Sequence, residues 1–161
     1  MITAAEVRKL LPHRYPMLLV DKVLDVVPGE RLTAIKAVTC NEPWYAHAGE
    51  DARVEDLAYP ETLLLESWGQ SAGILAGMGR AEVQSGEVML FGSMSEVDIH
   101  RKLYPGDVAE HRVRVTRALS DTVIFEGESL LEGEPLLTVS KMVMTFRPAE
   151  VLRSAEPVTM S

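Results

Sequence analysis

The sequence predicts an α+β domain in which an antiparallel sheet of about six strands wraps around one long central helix. Six segments rich in Val, Leu and Ile, each of strand length, are bounded by turn-forming residues. A single stretch, about 60–79, is apolar on nearly every side, as expected of a helix buried in a core and not lying on a surface. The chain has 161 residues, 47% of them hydrophobic, enough to bury one sizeable core. The domain is placed at 1–148, with 149–161 as a C-terminal tail that is mobile or packed against a partner.

Thr3-Ala4-Ala5-Glu6 has the spacing of a capping box, in which hydroxyl and carboxylate satisfy each other's free backbone donors, so a short helix is expected through Leu10. Pro12 and Pro16 then force an extended connection. Strands are expected at 17–27 and 32–38, flanking Pro28-Gly29 as a hairpin. A long loop follows and leads to the central helix, whose first turn suits Pro60 because proline lacks only a donor that would be unpaired there. Gly69, Gly73 and Gly77 recur every four residues along this helix and offer a smooth face to sheet side chains or another helix. Glu66 and Gln70 in the same segment argue against a membrane dimer motif. Four more strands, near 87–98, 108–119, 122–131 and 135–146, are punctuated by Pro105-Gly106, Ser120-Asp121 and Glu132-Gly133-Glu134. Such a sheet leaves its outer edges available for pairing.

Composition removes several function classes. With 24 acidic against 16 basic residues the net charge is −8, where broad nucleic-acid binding needs a basic stripe. The one cysteine, Cys40, rules out an intrachain disulfide framework and a cysteine metal cluster; it fits a reducing cytoplasm and suits packing better than nucleophilic work. Glu6, Arg8 and Lys9 interrupt any signal-peptide core, and no span approaches a membrane helix. A cytoplasmic protein without membrane contact is expected.

Candidate chemistry centres on Glu66, set in the apolar run Thr62-Leu63-Leu64-Leu65-Glu66-Ser67-Trp68. Burial there would disfavour its charged form, leaving an acid able to deliver a proton to a leaving group. Alternatively the carboxyl is merely satisfied by Ser67, Gln70 or a helix end. His47, nineteen residues upstream in a loop-like stretch, favours the chemical reading, since imidazole is the side chain best suited to taking a proton near neutral pH. His13, His100 and His111 are expected to be surface or packing residues, and no metal site is expected among them. Glu50, Asp51, Glu55 and Asp56 lack calcium-loop spacing and read as a solvated loop. Arg112 and Arg114 read as exposed strand charges.

Several ordered motifs resemble one family. Leu11-Pro12-His13-Arg14-Tyr15-Pro16-Met17-Leu18-Leu19-Val20-Asp21 is followed by Ile35-Lys36-Ala37-Val38-Thr39 and Asn41-Glu42-Pro43-Trp44-Tyr45. Leu63-Leu64-Leu65-Glu66-Ser67-Trp68-Gly69-Gln70-Ser71-Ala72-Gly73 and Tyr104-Pro105-Gly106-Asp107 come after them. Together they resemble the 3-hydroxyacyl-acyl carrier protein dehydratases of the hotdog fold, over Leu11 to about Pro148. The resemblance implies dehydration of a 3-hydroxyacyl thioester to the 2-enoyl thioester, in fatty-acid or polyketide biosynthesis. The substrate is carried on the phosphopantetheine of an acyl carrier protein, and no other cofactor is implied. His47 then maps to the family's base and Glu66 to its acid. The thioester oxygen is expected near the backbone donors of Glu61 and Thr62, where the helix dipole favours negative charge. Gln70, one turn after Glu66, is expected to hold or polarise its carboxyl. In such dehydratases the histidine and acid facing one substrate come from different subunits, which implies a homodimer or higher oligomer, or a heterodimer with a related subunit. Arg101 and Lys102 are either ordinary exposed charges or the docking site for a carrier protein's phosphate or acidic surface.

Departures from the pattern cluster near the expected site. Where the family has Gly-His-Phe-Pro-Gly, this chain has Ala46-His47-Ala48-Gly49, and the separation from His47 to Glu66 is five residues longer than in the family. Tyr59-Pro60-Glu61 stands where relatives have Met-Pro-Gly, placing a glutamate beside the expected oxyanion donors. These changes either reshape the pocket for another acyl chain, such as a polyketide or polyene intermediate, or mark a subunit that is partly catalytic or non-catalytic within a heteromeric dehydratase. A hotdog acyl thioesterase, with Glu66 activating water, is a further alternative.

Overall fold

A computed structural model describes residues 1–79 and 86–150. The elements run α1 (Ala4–Leu10), β1 (Lys22–Val27), β2 (Arg31–Ala37), α2 (Glu61–Met78), β3 (Glu87–Ile99), β4 (Val108–Ala118), β5 (Thr122–Leu131) and β6 (Glu134–Pro148), with 3-10 turns at Pro43–Tyr45 and Val54–Leu57 in the loop before α2. The strands form one antiparallel sheet in the order β1-β2-β4-β5-β6-β3. The chain thus leaves β2 near one edge, runs through α2 and returns as β3 at the opposite edge, and the sheet folds round the helix as in the hotdog fold. Every residue of α2 from Ser67 to Ala76 is buried. Residues 151–161, most of the expected tail, lie outside the described residues.

Local chemistry explains the pairing. Glu132 and Gly133, both at positive φ, form the two-residue turn between β5 and β6, whose twist matches that of the flanking strands. Against β6, the β5 register slips between Phe125 and Gly127, and a Cβ on Gly127 would lie 2.0 Å from the Arg112 carbonyl oxygen and 3.2 Å from the Trp68 ring. Only glycine allows that approach. Beside the slip, the Trp68 indole N–H donates to the carbonyls of Arg112 (3.3 Å) and Glu128 (3.2 Å), fastening the middle of α2 to the middle of the sheet. Trp68 belongs to the same buried core as Ala72, Leu75, Phe125, Leu137 and Met142.

Two expectations need correction, and the expected capping box is present. The first strand begins at Lys22, not at residue 17, because side chains of α2 take the hydrogen bonds of the preceding backbone. Leu19 N–H donates to Gln70 Oε1, Gln70 Nε2 donates to the Met17 carbonyl, and Ser67 Oγ donates to the Leu19 carbonyl. Cys40 is exposed instead of packed, in a turn where Glu42 N–H donates to the Thr39 carbonyl. At the capping box, Glu6 accepts from both the Thr3 N–H and the Thr3 hydroxyl, and the Thr3 hydroxyl bond is the leading cause that lowers its carboxyl below the usual range.

Candidate active site

Glu66 projects from the second turn of α2 into an apolar cavity of about 450 Å³ between the helix, β3 and β6. Its walls include Leu65, Phe91 and the methionines Met89, Met94, Met142 and Met144, with Gly69 and Gly73 forming a floor without side chains. The glycine spacing is used here. A Cβ on Gly73 would stand 2.9 Å from Met89 Cε, and one on Gly69 would stand 3.5 Å from Met142 Cε. Glu66 and Gly73 are seven residues apart, so the helix rise sets about 10 Å of cavity beyond the carboxyl. Flexible thioethers let such a chamber reshape around an elongated apolar ligand.

The carboxyl is held by its own helix. Gln70 Nε2 donates to Glu66 Oε1 at 2.8 Å, and the Gln70 amide, 3% exposed, is locked by its bonds to Met17 and Leu19. Burial was the expected means of keeping a proton on Glu66, but within its own chain the side chain is 39% exposed. The reason is its place at the cavity mouth, before α2 dives into the core.

His47 lies elsewhere. It is exposed, just after the 3-10 turn Pro43–Tyr45, and lines a second cavity of about 400 Å³ with Trp44, Tyr45, Asp51 and Asp56. The two candidate groups therefore line different cavities of one chain. The loop bearing His47 is anchored from beneath: Lys36 Nζ, nearly buried, donates to Glu42 Oε1 (2.6 Å), and the Trp44 indole donates to Glu42 Oε2 (3.0 Å). Burial, reinforced by Glu42, pushes the Tyr45 phenol up to about 12, so it is a neutral donor at working pH. The charged insertion is solvated, with Arg53 bonded to Asp56.

At the helix N-terminus, Pro60 is the N-cap and its carbonyl accepts from Leu63 (3.0 Å) and Leu64 (3.1 Å), which leaves the N–H groups of Glu61 and Thr62 ahead of the first helical bond. Thr62 lines the Glu66 cavity; Glu61 is exposed and does not. Arg101 and Lys102 are both exposed, at the end of β3, and Arg101 reaches the Leu131 carbonyl at 3.5 Å. Arg112 and Arg114 pair with Glu110, Glu128 and Glu126 on the sheet's outer face. No group of His, Cys, Asp and Glu able to hold a metal occurs among the described residues.

Two features were set aside or missed in the sequence. His13 read as structural, yet its Nε2 stands 3.4 Å from Glu66 Oε1 and its ring lines the same cavity. Nothing in the spacing of residues 53 apart signals that contact. The methionine lining had a partial signal, since Met142 and Met144 fall on one face of a strand at period two.

Residues 11–140 match the FabA-like domain family. Among curated relatives, a 3-hydroxyacyl-acyl carrier protein dehydratase FabZ of Oleidesulfovibrio alaskensis is 39% identical over 125 residues, covering 78% of this chain and 79% of its own. The enzyme of that name from Yersinia enterocolitica is 33% identical over 154 residues, 96% of this chain and 89% of its own. Among solved structures, a chain of the dehydratase heterocomplex ApeI:P from Xenorhabdus doucetiae superposes with a TM-score of 0.73 at 19% identity, covering 91% of this chain and 94% of the other, which speaks to the fold.

Proposed function

Because the chain belongs to the FabA-like domain family, we infer that its Glu66 cavity receives the acyl chain of a 3-hydroxyacyl thioester and that Glu66 is the acid of the reaction. The protein is a 3-hydroxyacyl-acyl carrier protein dehydratase, removing water to give the 2-enoyl thioester. The carrier protein is its substrate partner. What supports the site assignment most is one observation: a carboxyl held by Gln70 at the mouth of an apolar chamber long enough for an acyl chain.

The elimination needs two proton carriers. His47 takes the C2 proton, the C2–H electrons form the C2–C3 double bond, and the C3–O bond breaks as the oxygen takes a proton from Glu66 and leaves as water. Charge developing on the thioester oxygen is met by the helix N-terminus at Glu61 and Thr62. His47 ends with one proton more and Glu66 with one fewer, and exchange with solvent resets both. Since His47 and Glu66 line separate cavities of one chain, the pair is assembled between two subunits. The thirteen-residue strand β3, paired only with β6 among the described residues, offers the edge for that association.

The test is a mass measurement on a 3-hydroxyacyl carrier protein, with the purified protein alone and with a candidate dehydratase partner. Loss of water with the acyl group retained is expected, and release of the acyl group would indicate a thioesterase. Arg101→Glu with Lys102→Glu is expected to slow the carrier-bound substrate while sparing a small pantetheine thioester. Equal losses on both would remove these residues from carrier docking.

A further inference from the structure

The Glu66 carboxyl has a second neighbour that dehydration chemistry has not yet used. His13 Nε2 lies 3.4 Å from Oε1, the oxygen that also accepts from Gln70, whereas Oε2 accepts no hydrogen bond among the described residues. The imidazole is built into place. Arg14 donates to the carbonyls of Leu11 (2.8 Å) and His13 (2.6 Å), fixing the backbone that presents the ring, and Leu11 is 2% exposed. His13 Nδ1 is buried without a hydrogen-bond partner among the described residues. The tautomer with the proton on Nε2 leaves only a bare acceptor at Nδ1, and the other would bury an unpaired N–H, the costlier arrangement.

We propose that His13 is a positioning residue for dehydration, directing its Nε2–H at Glu66 Oε1 so that Oε2 carries the transferable proton toward the C3 hydroxyl. The assignment rests on Glu66 being the acid. Before transfer, Oε1 is the carbonyl oxygen of a neutral acid, oriented by the Gln70 hydrogen bond at 2.8 Å, with His13 Nε2 standing by at 3.4 Å. As the proton leaves from Oε2, negative charge spreads onto Oε1, and the same two donors strengthen. Stabilisation that grows with reaction progress raises kcat and leaves ground-state binding nearly unchanged. His13 itself exchanges no proton with the substrate.

The test compares His13→Leu and His13→Gln, the second placing an amide donor where Nε2 stood, by steady-state dehydration of a medium-chain 3-hydroxyacyl carrier protein. Each is made with Glu66 intact and with Glu66→Gln. His13→Leu is expected to lower kcat about tenfold to a hundredfold with KM within about twofold. His13→Gln is expected to recover most of the loss, and His13→Leu should add nothing in the Glu66→Gln background. Should His13→Leu fail to fold, His13→Asn, whose amide falls short of Oε1, takes its place against His13→Gln. A raised KM with normal kcat, failure of the glutamine to rescue, or an equal loss in both backgrounds would overturn the proposal. Near-normal activity of Glu66→Gln on its own would instead remove the assignment of Glu66, a separable result.

Discussion

At the scale of single residues, the most perturbed side chain is not one of the candidate catalysts but His111, fully buried between α2 and β5. Ser67 Oγ donates to the Leu19 carbonyl, so it can only accept from His111 Nε2–H at 2.9 Å, and His111 Nδ1 must accept from the Ser129 hydroxyl at 2.7 Å. The neutral ring fills that chain of bonds, and desolvation, helped by Lys36, lowers its pKa from 6.5 to about 3. Between those values the unfolded chain binds a proton that the folded chain refuses, so stability falls as pH drops through this window and is fully present above it. The expected slope from this one group approaches about 1.4 kcal/mol per pH unit. Urea midpoints measured from pH 7 to 5 should show it, and His111→Asn should flatten the slope even if it lowers stability throughout. An unchanged slope would place the acid sensitivity elsewhere.

At the scale of elements, the junction of α2 with the β5 bulge at Gly127 holds the helix in register with the sheet. Gly127→Ala would drive a methyl into the Arg112 carbonyl, an atom of paired backbone that cannot rotate away, and into the Trp68 ring. A loss of about 3 kcal/mol is expected, readable by thermal or urea unfolding. Gly73→Ala meets only the end of Met89, and should be far milder. The elements themselves were legible because local patterning and tertiary fate agree: five of six strands are paired within two residues of their expected ends, and the turns fall on the expected punctuation. The 17–21 segment was not legible. Its apolar pattern reads as strand, but its backbone is satisfied by Gln70 and Ser67, about fifty residues away, which no local pattern reveals. The same distance hid His13. For Glu66 and Gln70 the helical spacing alone predicted the contact that the structure holds at 2.8 Å.

At the scale of the whole molecule, the fold separates the two groups proposed to act together. Glu66 opens on the β3 side with the acyl chamber, and His47 sits on the loop anchored by Lys36 and Glu42. In the proposed isologous dimer each surface patch would meet its own two-fold counterpart, giving two sites, each with one His47 and one Glu66 from different chains. The proposed arrangement would also cover a carboxyl left 39% exposed in the single chain and Phe91, 61% exposed on the edge strand and lining the chamber. The net charge of −8 leaves docking of an acidic carrier to local basic groups, with Arg101 and Lys102 the candidates.

Cross-subunit catalysis is tested most directly by mixing two inactive variants. His47→Ala and Glu66→Gln are each expected to lower kcat by about 10²–10⁴ without unfolding the protein. When subunits are exchanged between them, half of the dimers are mixed, and each mixed dimer holds one site with both mutations and one with neither, so about a quarter of wild-type activity should return. A mixture that stays at the level of its inactive parents, while native mass spectrometry shows that mixed dimers have formed, would contradict a site shared between His47 of one chain and Glu66 of the other.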